Sequence, residues 1–305
     1  MKIFLIGLGS IAKKHITAIR KIEPNAIIYA LRSSNNSEND ENVINVFNWE
    51  KASEVDFILI SNPTNLHGDT ILKALEFKKP LFIEKPLLHQ LLQVDEIIEK
   101  VNNNQTPTYV ACVLRFHPII SYLKDMMHKT ISKIDEVNVY CGSYLPNWRA
   151  DTDYRQSYSA NEEMGGGVHL DLIHEIDYLY WLFGKPLQVK STLCKNSHLN
   201  INAVDYANYQ LIYPDFVASV TLNYFRKQNK REIEIVSPDF ILNGNLISYI
   251  LKEEIDNKII VDESAQMGTL YDKQMSYFID GLNNNSFYEN DVQTGIEVLK
   301  MVLND

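Results

Sequence analysis

The opening residues KIFLIGLGSIAKKH set a short apolar run against two glycines and then an amphipathic stretch. Strand, Gly-rich turn and helix in that order admit few folds. KIFLIG reads as a strand, and SIAKKHITAIRKI as a helix with Ile11, Ala12, His15, Ile16 and Ile19 on one face. The turn between them, GLGSIA, has the form G-x-G-x-x-A. Gly7 permits the tight bend, Gly9 lets the main chain approach a pyrophosphate, and the small Ala12 lets the helix lie close to the sheet. The first helical amides, at Ser10 and Ile11, then face phosphate oxygens. The expectation is a dinucleotide site, the competing reading being a purely structural turn.

The alternation continues. AIIYAL, DFILIS, LFIE and TYVACVL read as strands, and NPTNLHGDTILKALEF and a segment from about Leu88 to Val101 as helices. This order predicts a doubly wound parallel sheet, an N-terminal Rossmann domain over residues 1–118. Beyond Pro118 strand follows strand: IDEVNVYCGSY, LQVKSTLC, AVDYANYQLIY, FVASVTLNYF, REIEIVS and KIIVDE, with turns at Pro214-Asp215 and Asn243-Gly244. One long helix, Gly166 to Phe183, interrupts them. Residues 119–305 are therefore expected to form an α+β domain with a mainly antiparallel open sheet, for substrate binding and oligomerisation. The last helix, from about Asp291, is free to pack on either domain. The polar tract Arg32 to Asn45 reads as a surface loop, and the basic run RKQNKR (226–231) as the end of a charged hairpin.

Bulk properties exclude several classes. With 305 residues, 45% apolar and 22% charged, the chain has the make-up of a two-domain globular protein. A net charge of -10 argues against nucleic acid, which wants a basic surface. Cys112, Cys141 and Cys194 are scattered, which fits neither a disulfide framework nor a zinc site and suits the reducing cytoplasm. No apolar run reaches membrane-spanning length, and the first ten residues make a poor signal peptide. His169, Asp171, His174 and Glu175 are rejected as a metal cluster, because the two histidines are five apart rather than the four of one helical face.

In an open α/β sheet, ligands sit beyond the carboxyl ends of the strands. Three strand ends carry suitable groups. After the second strand an NAD site wants an acid, yet the chain offers Arg32 and Ser33, which suit a 2'-phosphate. NADP is thereby slightly favoured over NAD, against the alternative that Arg32 points into solvent. SNPTNLHGD contributes Asn62, Pro63 and His67, and KPLFIEKPLLH contributes Glu84 and Lys85. Both stretches are expected to line the same crevice as the glycine turn. On the later helix, Asp171, His174, Glu175 and Tyr178 fall opposite Val168, Leu172, Ile176, Leu179 and Phe183. An Asp-His pair three residues apart is suited to fixing an imidazole tautomer and moving a proton, although a polar helix face is ordinarily just solvated.

Taken together, GLGSIAKKH, VDFILISNPTNLH, FIEKP, RFHP and GGGVHLDLIHEIDYLYWLFG resemble the Gfo/Idh/MocA oxidoreductases over nearly the whole chain. That resemblance implies an NAD(P)-dependent enzyme in which Lys85 contacts substrate and nicotinamide, and it is compatible with a cis Lys85–Pro86 bond. It also implies a histidine base with an acid beside it, here His174 and Asp171. The family usually separates the two by four residues and this chain by three, which leaves their individual roles open. The loop SYLPNWRADTDYRQSYSA offers Trp148 and Tyr154 to stack on a sugar, and Arg149 and Arg155 to hold a phosphate or carboxylate. Arg115 is a comparable candidate. The loop is similar to that of members from bacterial surface-sugar pathways, which implies a sugar or nucleotide-sugar substrate. The expected activity is hydride transfer to or from a secondary alcohol or ketone, with Lys85 and His174 converging on the nicotinamide. A non-catalytic regulator of the same fold, and an enzyme that retains its cofactor through transient oxidation, are the competing readings. The open sheet implies a homo-oligomer, a dimer or a tetramer.

Overall fold

Strand β1 (Lys2–Ile6) is buried along four of its five residues, as a strand covered on both faces must be. The structure, a computed structural model, describes residues 1–33, 40, 42–129, 132–149, 152–284, 286 and 288–304. Contacts divide the chain into two compact units. Met1–Cys112 with Thr269–Leu299 form the first, and Val113–Gly268 with Lys300–Asp305 the second.

In the first unit β1 pairs in parallel with β2 (Ile27–Leu31) on one side and β4 (Phe57–Ile60) on the other. Beyond β2 lies β3 (Ile44–Val46), and beyond β4 come β5 (Leu81–Glu84) and β6 (Thr108–Ala111). The order β3-β2-β1-β4-β5-β6 is a doubly wound, Rossmann-type sheet. Helix α1 (Ser10–Ile22) buries Ala12, His15, Ile16, Ala18 and Ile19. Helix α2 (His67–Leu75) follows a short 3-10 turn at Thr64–Leu66.

Two expectations change here. The polar tract ends in an edge strand rather than remaining loop, because Ile44 and Val46 pair beside β2; residues 34–39 and 41 of that tract lie outside the described residues. Helix α3 (Val94–Asn104) starts six residues later than expected, since the Pro86 and Leu87 carbonyls are turned onto the His67 ring and Leu87 and Leu88 are buried. Helix α7, Leu270–Asn284, is an element the sequence reading missed. Its Phe278 ring lies edge-on to Phe57 at 5.0 Å and Phe82 at 5.1 Å. The signal was present as Leu270, Gln274, Met275, Phe278 and Ile279, spaced for one buried helical face.

The second unit holds a mostly antiparallel eight-stranded sheet. Its strands are β7 (Glu136–Tyr144), β8 (Gln188–Cys194), β9 (Tyr206–Ile212), β10 (Val217–Asn223), β11 (Phe225–Val236), β12 (Ile241–Asn245), β13 (Ile250–Glu253) and β14 (Lys258–Asp262). The order is β14-β13-β12-β11-β7-β10-β9-β8, with β7 and β10 the parallel pair. Along β7, β9 and β10 buried residues alternate with partly exposed ones, the pattern of a sheet with one open face. Helix α4 (Pro118–Lys129) begins on proline at the position where its missing N–H costs nothing.

Three expectations for this unit change as well. Asn243-Gly244 lies inside β12, paired with Lys252 and Leu251 and packed against Ile119, rather than in a turn. The basic run 226–231 lies within β11, at an irregularity between Phe225 and Lys230, rather than at a hairpin end. The long helix is two, α5 (Val168–Asp171) and α6 (His174–Phe183), because Leu172 leaves the helical region at φ -101°, ψ 30°. Helix α8 (Val292–Leu303) follows α7; its residues to Leu299 group with the first unit and those from Lys300 with the second. No helix among the described residues is long and apolar enough to cross a membrane.

Candidate active site

In the first unit the carboxyl ends of β1, β4 and β5 are adjacent, because these strands pair in register. Gly7 sits at φ +88°, and a Cβ there would lie 2.4 Å from the Asn62 nitrogen. Only glycine allows the first turn to touch the end of β4 this closely. Ser61 Oγ ties the contact by donating to the Gly7 carbonyl at 2.8 Å. Gly9 behaves differently. A Cβ there would meet nothing within 4 Å, and Gly9 caps α1 without any side-chain hydrogen bond. The first amides of a 13-residue helix therefore have no side-chain cap, and the space beside the Gly9 Cα is open. That combination fits a pyrophosphate.

Lys85 is half-buried in a stretch where residues 81–84 and 86–88 are buried. The Lys85–Pro86 bond is cis. Glu84 turns inward. Its Oε1 accepts from Nε2 of His15, and its Oε2 accepts from the Lys85 main-chain N–H at 3.2 Å. His67 is 1% exposed, with Nδ1 3.0 Å from the Pro86 carbonyl and 3.1 Å from that of Leu87. Its Nε2 lies 2.9 Å from the Asn62 carbonyl. Burial lowers the His67 pKa, although the surrounding carbonyls pull the other way. His67 and Glu84 thus engage their polar atoms inside the fold, where they tie strand ends together. Asn62 and Pro63 are partly exposed and exposed. Arg32 donates to Asn45 Oδ1 at 3.2 Å, and Ser33 is exposed.

In the second unit Gly166, ahead of α5, has a steric reason. A Cβ on Gly166 would lie 2.0 Å from the Tyr158 carbonyl and 2.8 Å from that of Ser159, so these two residues pass close against the chain ahead of α5. Asp171 at the end of α5 accepts from Tyr158 Oη at 2.9 Å on Oδ1 and from Tyr224 Oη on Oδ2. Burial, then the neighbouring Asp171 charge, raises both phenol pKa values, so both remain donors at neutral pH. The role expected of Asp171, fixing the His174 imidazole, therefore falls to a carboxylate that already holds two phenols. His174 opens α6 and is buried. The helical face, for which a solvated stripe was the competing reading, is buried: Glu175 and Tyr178 are fully buried, and neighbouring Asp177 is 1% exposed. Glu175 accepts from Arg231 Nε at 2.7 Å and Nη2 at 3.2 Å, a fork that neutralises a fully buried carboxylate.

The loop candidates divide. Trp148 is 40% exposed, donates to Ser143 Oγ at 2.9 Å and stands edge-on to Tyr224 at 5.3 Å. Trp148, Arg149, Tyr154 and Tyr158 line one recess, with the Arg149 guanidinium 6.0 Å from the Tyr158 ring centre. Tyr154 Oη donates to the Leu199 carbonyl at 3.0 Å. Arg155 is exposed and lies over the Tyr154 ring at 4.7 Å. Residues 150 and 151 of this loop are outside the described residues. Arg115 lies elsewhere. It is buried in a fork with Asp177, Nε to Oδ2 at 2.9 Å and Nη2 to Oδ1 at 2.7 Å, so its charge is neutralised within the fold. The sequence reading missed Tyr158, Tyr224 and Arg231. The first lay inside a loop already singled out, whereas pairing a helix acid with residues on β10–β11 needs the topology. Among the described residues, no group of three or more His, Cys, Asp or Glu is placed to hold a metal ion.

His169 gives the unit a pH dependence. Its Nδ1 is buried with no hydrogen-bond partner among the described residues, and burial pushes its pKa down from 6.5 to about 4. Between those values the unfolded chain binds more protons than the folded one, so stability falls as pH drops through that window. Urea unfolding of wild type and His169→Phe checks this: wild type is expected to lose on the order of 3 kcal/mol more than the variant between about pH 7 and pH 4. Parallel pH profiles would contradict it.

Comparison with known proteins agrees with this architecture. Residues 1–111 match the family model described as oxidoreductase family, NAD-binding Rossmann fold. Residues 120–239 match that of the GFO/IDH/MocA C-terminal domain. The chain is similar to myo-inositol 2-dehydrogenase of Thermotoga maritima, 26% identical over 200 residues that cover 62% of this chain. That match spans only 56% of the relative's own length. Among solved structures, UDP-N-acetylglucosamine 3-dehydrogenase GnnA from Acidithiobacillus ferrooxidans superposes with TM-score 0.81 at 17% identity, over 100% of this chain and 96% of that one. The WlbA dehydrogenase from Bordetella pertussis also gives 0.81 at 17% identity, over 99% and 94%. Both show a shared fold. With two models of one family matched across most of its length, in the order that the two sheets occupy, the chain belongs to the Gfo/Idh/MocA oxidoreductase family.

Proposed function

We propose that the protein is an NAD(P)-dependent oxidoreductase acting on a secondary alcohol or ketone of a sugar, and that nucleotide sugars are among its substrates. The observation that carries this is the set of strand ends in the first unit: an uncapped helix start behind a close-packed glycine turn, with Lys85 presented two strands away. The relatives support the substrate class, being named for inositol and for UDP-N-acetylglucosamine, and WlbA was solved with NADH and UDP-GlcNAcA. The exposed Trp148 and Arg149 support it further, since an aromatic face takes a sugar ring and a guanidinium takes carboxylate or phosphate.

In this reading Gly7, Gly9, Ser10 and Ile11 hold the pyrophosphate, Arg32 and Ser33 the adenosine ribose, and Asn62 and Pro63 border the nicotinamide. When bound, the nicotinamide accepts or supplies the hydride. An alcohol cannot lose hydride readily while it keeps its proton. His174 is assigned the removal of that proton, and Lys85 the stabilisation of developing negative charge. Asp171, with Tyr158 and Tyr224 on its oxygens, holds the surroundings of the base in place.

The test is nicotinamide absorbance with NAD and NADP against UDP-N-acetylglucosamine, UDP-GlcNAcA, myo-inositol, levoglucosan and glucose 6-phosphate. Turnover with at least one alcohol is expected, and with no acid at the end of β2, NADP is expected to bind at least as tightly as NAD. Loss of the pyrophosphate room gives an independent check. Gly9→Val is expected to keep its unfolding temperature yet weaken dinucleotide binding by about tenfold or more. Unchanged binding would remove the glycine turn from the site. The partly exposed face of the eight-stranded sheet, with Tyr140, Asn208 and Thr221 on it, is proposed to be covered by a second copy of the chain. A monomer in sedimentation velocity at micromolar concentration would overturn that.

A further inference from the structure

Lys85 is flanked by anchors on both sides, and one of them reaches it from α1. His15 is fully buried, with its ring edge-on to Phe82 at 4.9 Å and to Tyr271 at 5.6 Å. Its Nε2 contacts Glu84 Oε1, while its Nδ1 has no hydrogen-bond partner among the described residues. Besides packing between these rings, the imidazole has one engaged nitrogen, which donates to the carboxylate. The other carboxylate oxygen receives the main-chain N–H of Lys85. The chain of contacts therefore runs from α1 through the imidazole and the Glu84 carboxylate to the backbone of Lys85. On the far side, the Pro86 and Leu87 carbonyls are held by His67. No other part of β5 is tied by side chains in this way among the bonds described.

We propose that His15 is a positioning residue for Lys85, acting through the Glu84 carboxylate to fix the strand-end turn that presents the lysine. This rests on Lys85 being catalytic, as proposed above. A Glu84 side chain without its donor swings away from a buried, apolar setting that offers no replacement partner, and the turn at Lys85 loses one of its anchors. A displacement of the catalytic group by about 1 Å is enough to slow chemistry by one to two powers of ten. Cofactor binding at the glycine turn does not depend on that displacement.

The experiment compares His15→Phe, which keeps an aromatic ring between Phe82 and Tyr271 but donates nothing, with His15→Gln, whose amide donates from a similar reach. With the best alcohol of the panel, His15→Phe is expected to lower kcat by roughly tenfold or more, with the NAD dissociation constant within about twofold of wild type. His15→Gln is expected to recover most of the loss. Introduced into Lys85→Met, His15→Phe is expected to change the residual rate by less than about twofold, because it acts through the lysine. A wild-type kcat in folded His15→Phe, or a full tenfold loss repeated in the Lys85→Met background, overturns the inference. Should His15→Phe not fold, Glu84→Gln replaces it. One amide oxygen cannot accept from both the imidazole and the Lys85 amide as two carboxylate oxygens do, so a severalfold fall in kcat is expected and an unchanged kcat overturns the inference. Failure of the underlying reading looks different, since Lys85→Met would then itself turn over normally.

Discussion

Lys85→Met lowers hydride transfer by roughly 10²-fold or more while the NAD dissociation constant stays within about threefold of wild type. Among residues 81–88 of β5 and the turn that follows, Lys85 is the only one that is not buried, and the residues on either side of it are tied to the interior by His15 and His67. A methionine keeps the apolar stem of the lysine but cannot donate to an alkoxide, so the loss falls on the transition state rather than on the bound cofactor. Stopped-flow absorbance at saturating cofactor checks it. A near-normal rate would take Lys85 out of the chemistry.

The second large effect concerns stability. Arg231→Met is expected to destabilise the second unit by about 3–5 kcal/mol, because it strands a carboxylate that cannot reach water. Glu175 is fully buried, and Arg231, about a quarter exposed, is its forked partner. Burial works against the guanidinium charge, but Glu175 beside it outweighs that and holds Arg231 above its ordinary pKa. The same surroundings push the Cys141 thiol up to about 12, burial first and the Glu175 charge second, so that cysteine is not a nucleophile at neutral pH. The double variant Glu175→Leu/Arg231→Met is expected to recover most of the loss, since removing both partners leaves no uncompensated charge. Urea unfolding read by circular dichroism decides it. A loss under about 1 kcal/mol in Arg231→Met would mean that the pair is a solvated surface contact.

What the sequence revealed, it revealed through local physics. The glycine turn, α1 and the core strands of the first sheet are set by short-range pattern: apolar runs, a 3.6-residue period and a turn that only glycine can make. The strand ends at Asn62 and Lys85 followed from the rule for parallel sheets. The misses share a cause. Arg115 and Arg231 were read as solvent- or ligand-facing charges because arginine usually is. Each is neutralised by a carboxylate far away in sequence, Asp177 and Glu175, on a helix whose polar face turns out to be buried. Residue spacing along one helix cannot show what arrives from a strand more than fifty residues on. The break between α5 and α6 was hidden for a similar reason, since Leu172 and Ile173 are good helix residues and nothing in their chemistry announces a stop. Edge strand β3 was masked by the asparagine-rich tract ahead of it.

Under the reading proposed above, Lys85 and His174 both serve the hydride transfer. Single-turnover reduction of the cofactor in wild type, Lys85→Met, His174→Gln and the double variant tests it most directly. Residues that act as a unit lose their effect together, so the double variant is expected to be about as slow as the slower single one, roughly 10²-fold or more below wild type. A double variant slowed by the full product of the two single losses, or a single variant with the wild-type rate, would contradict it.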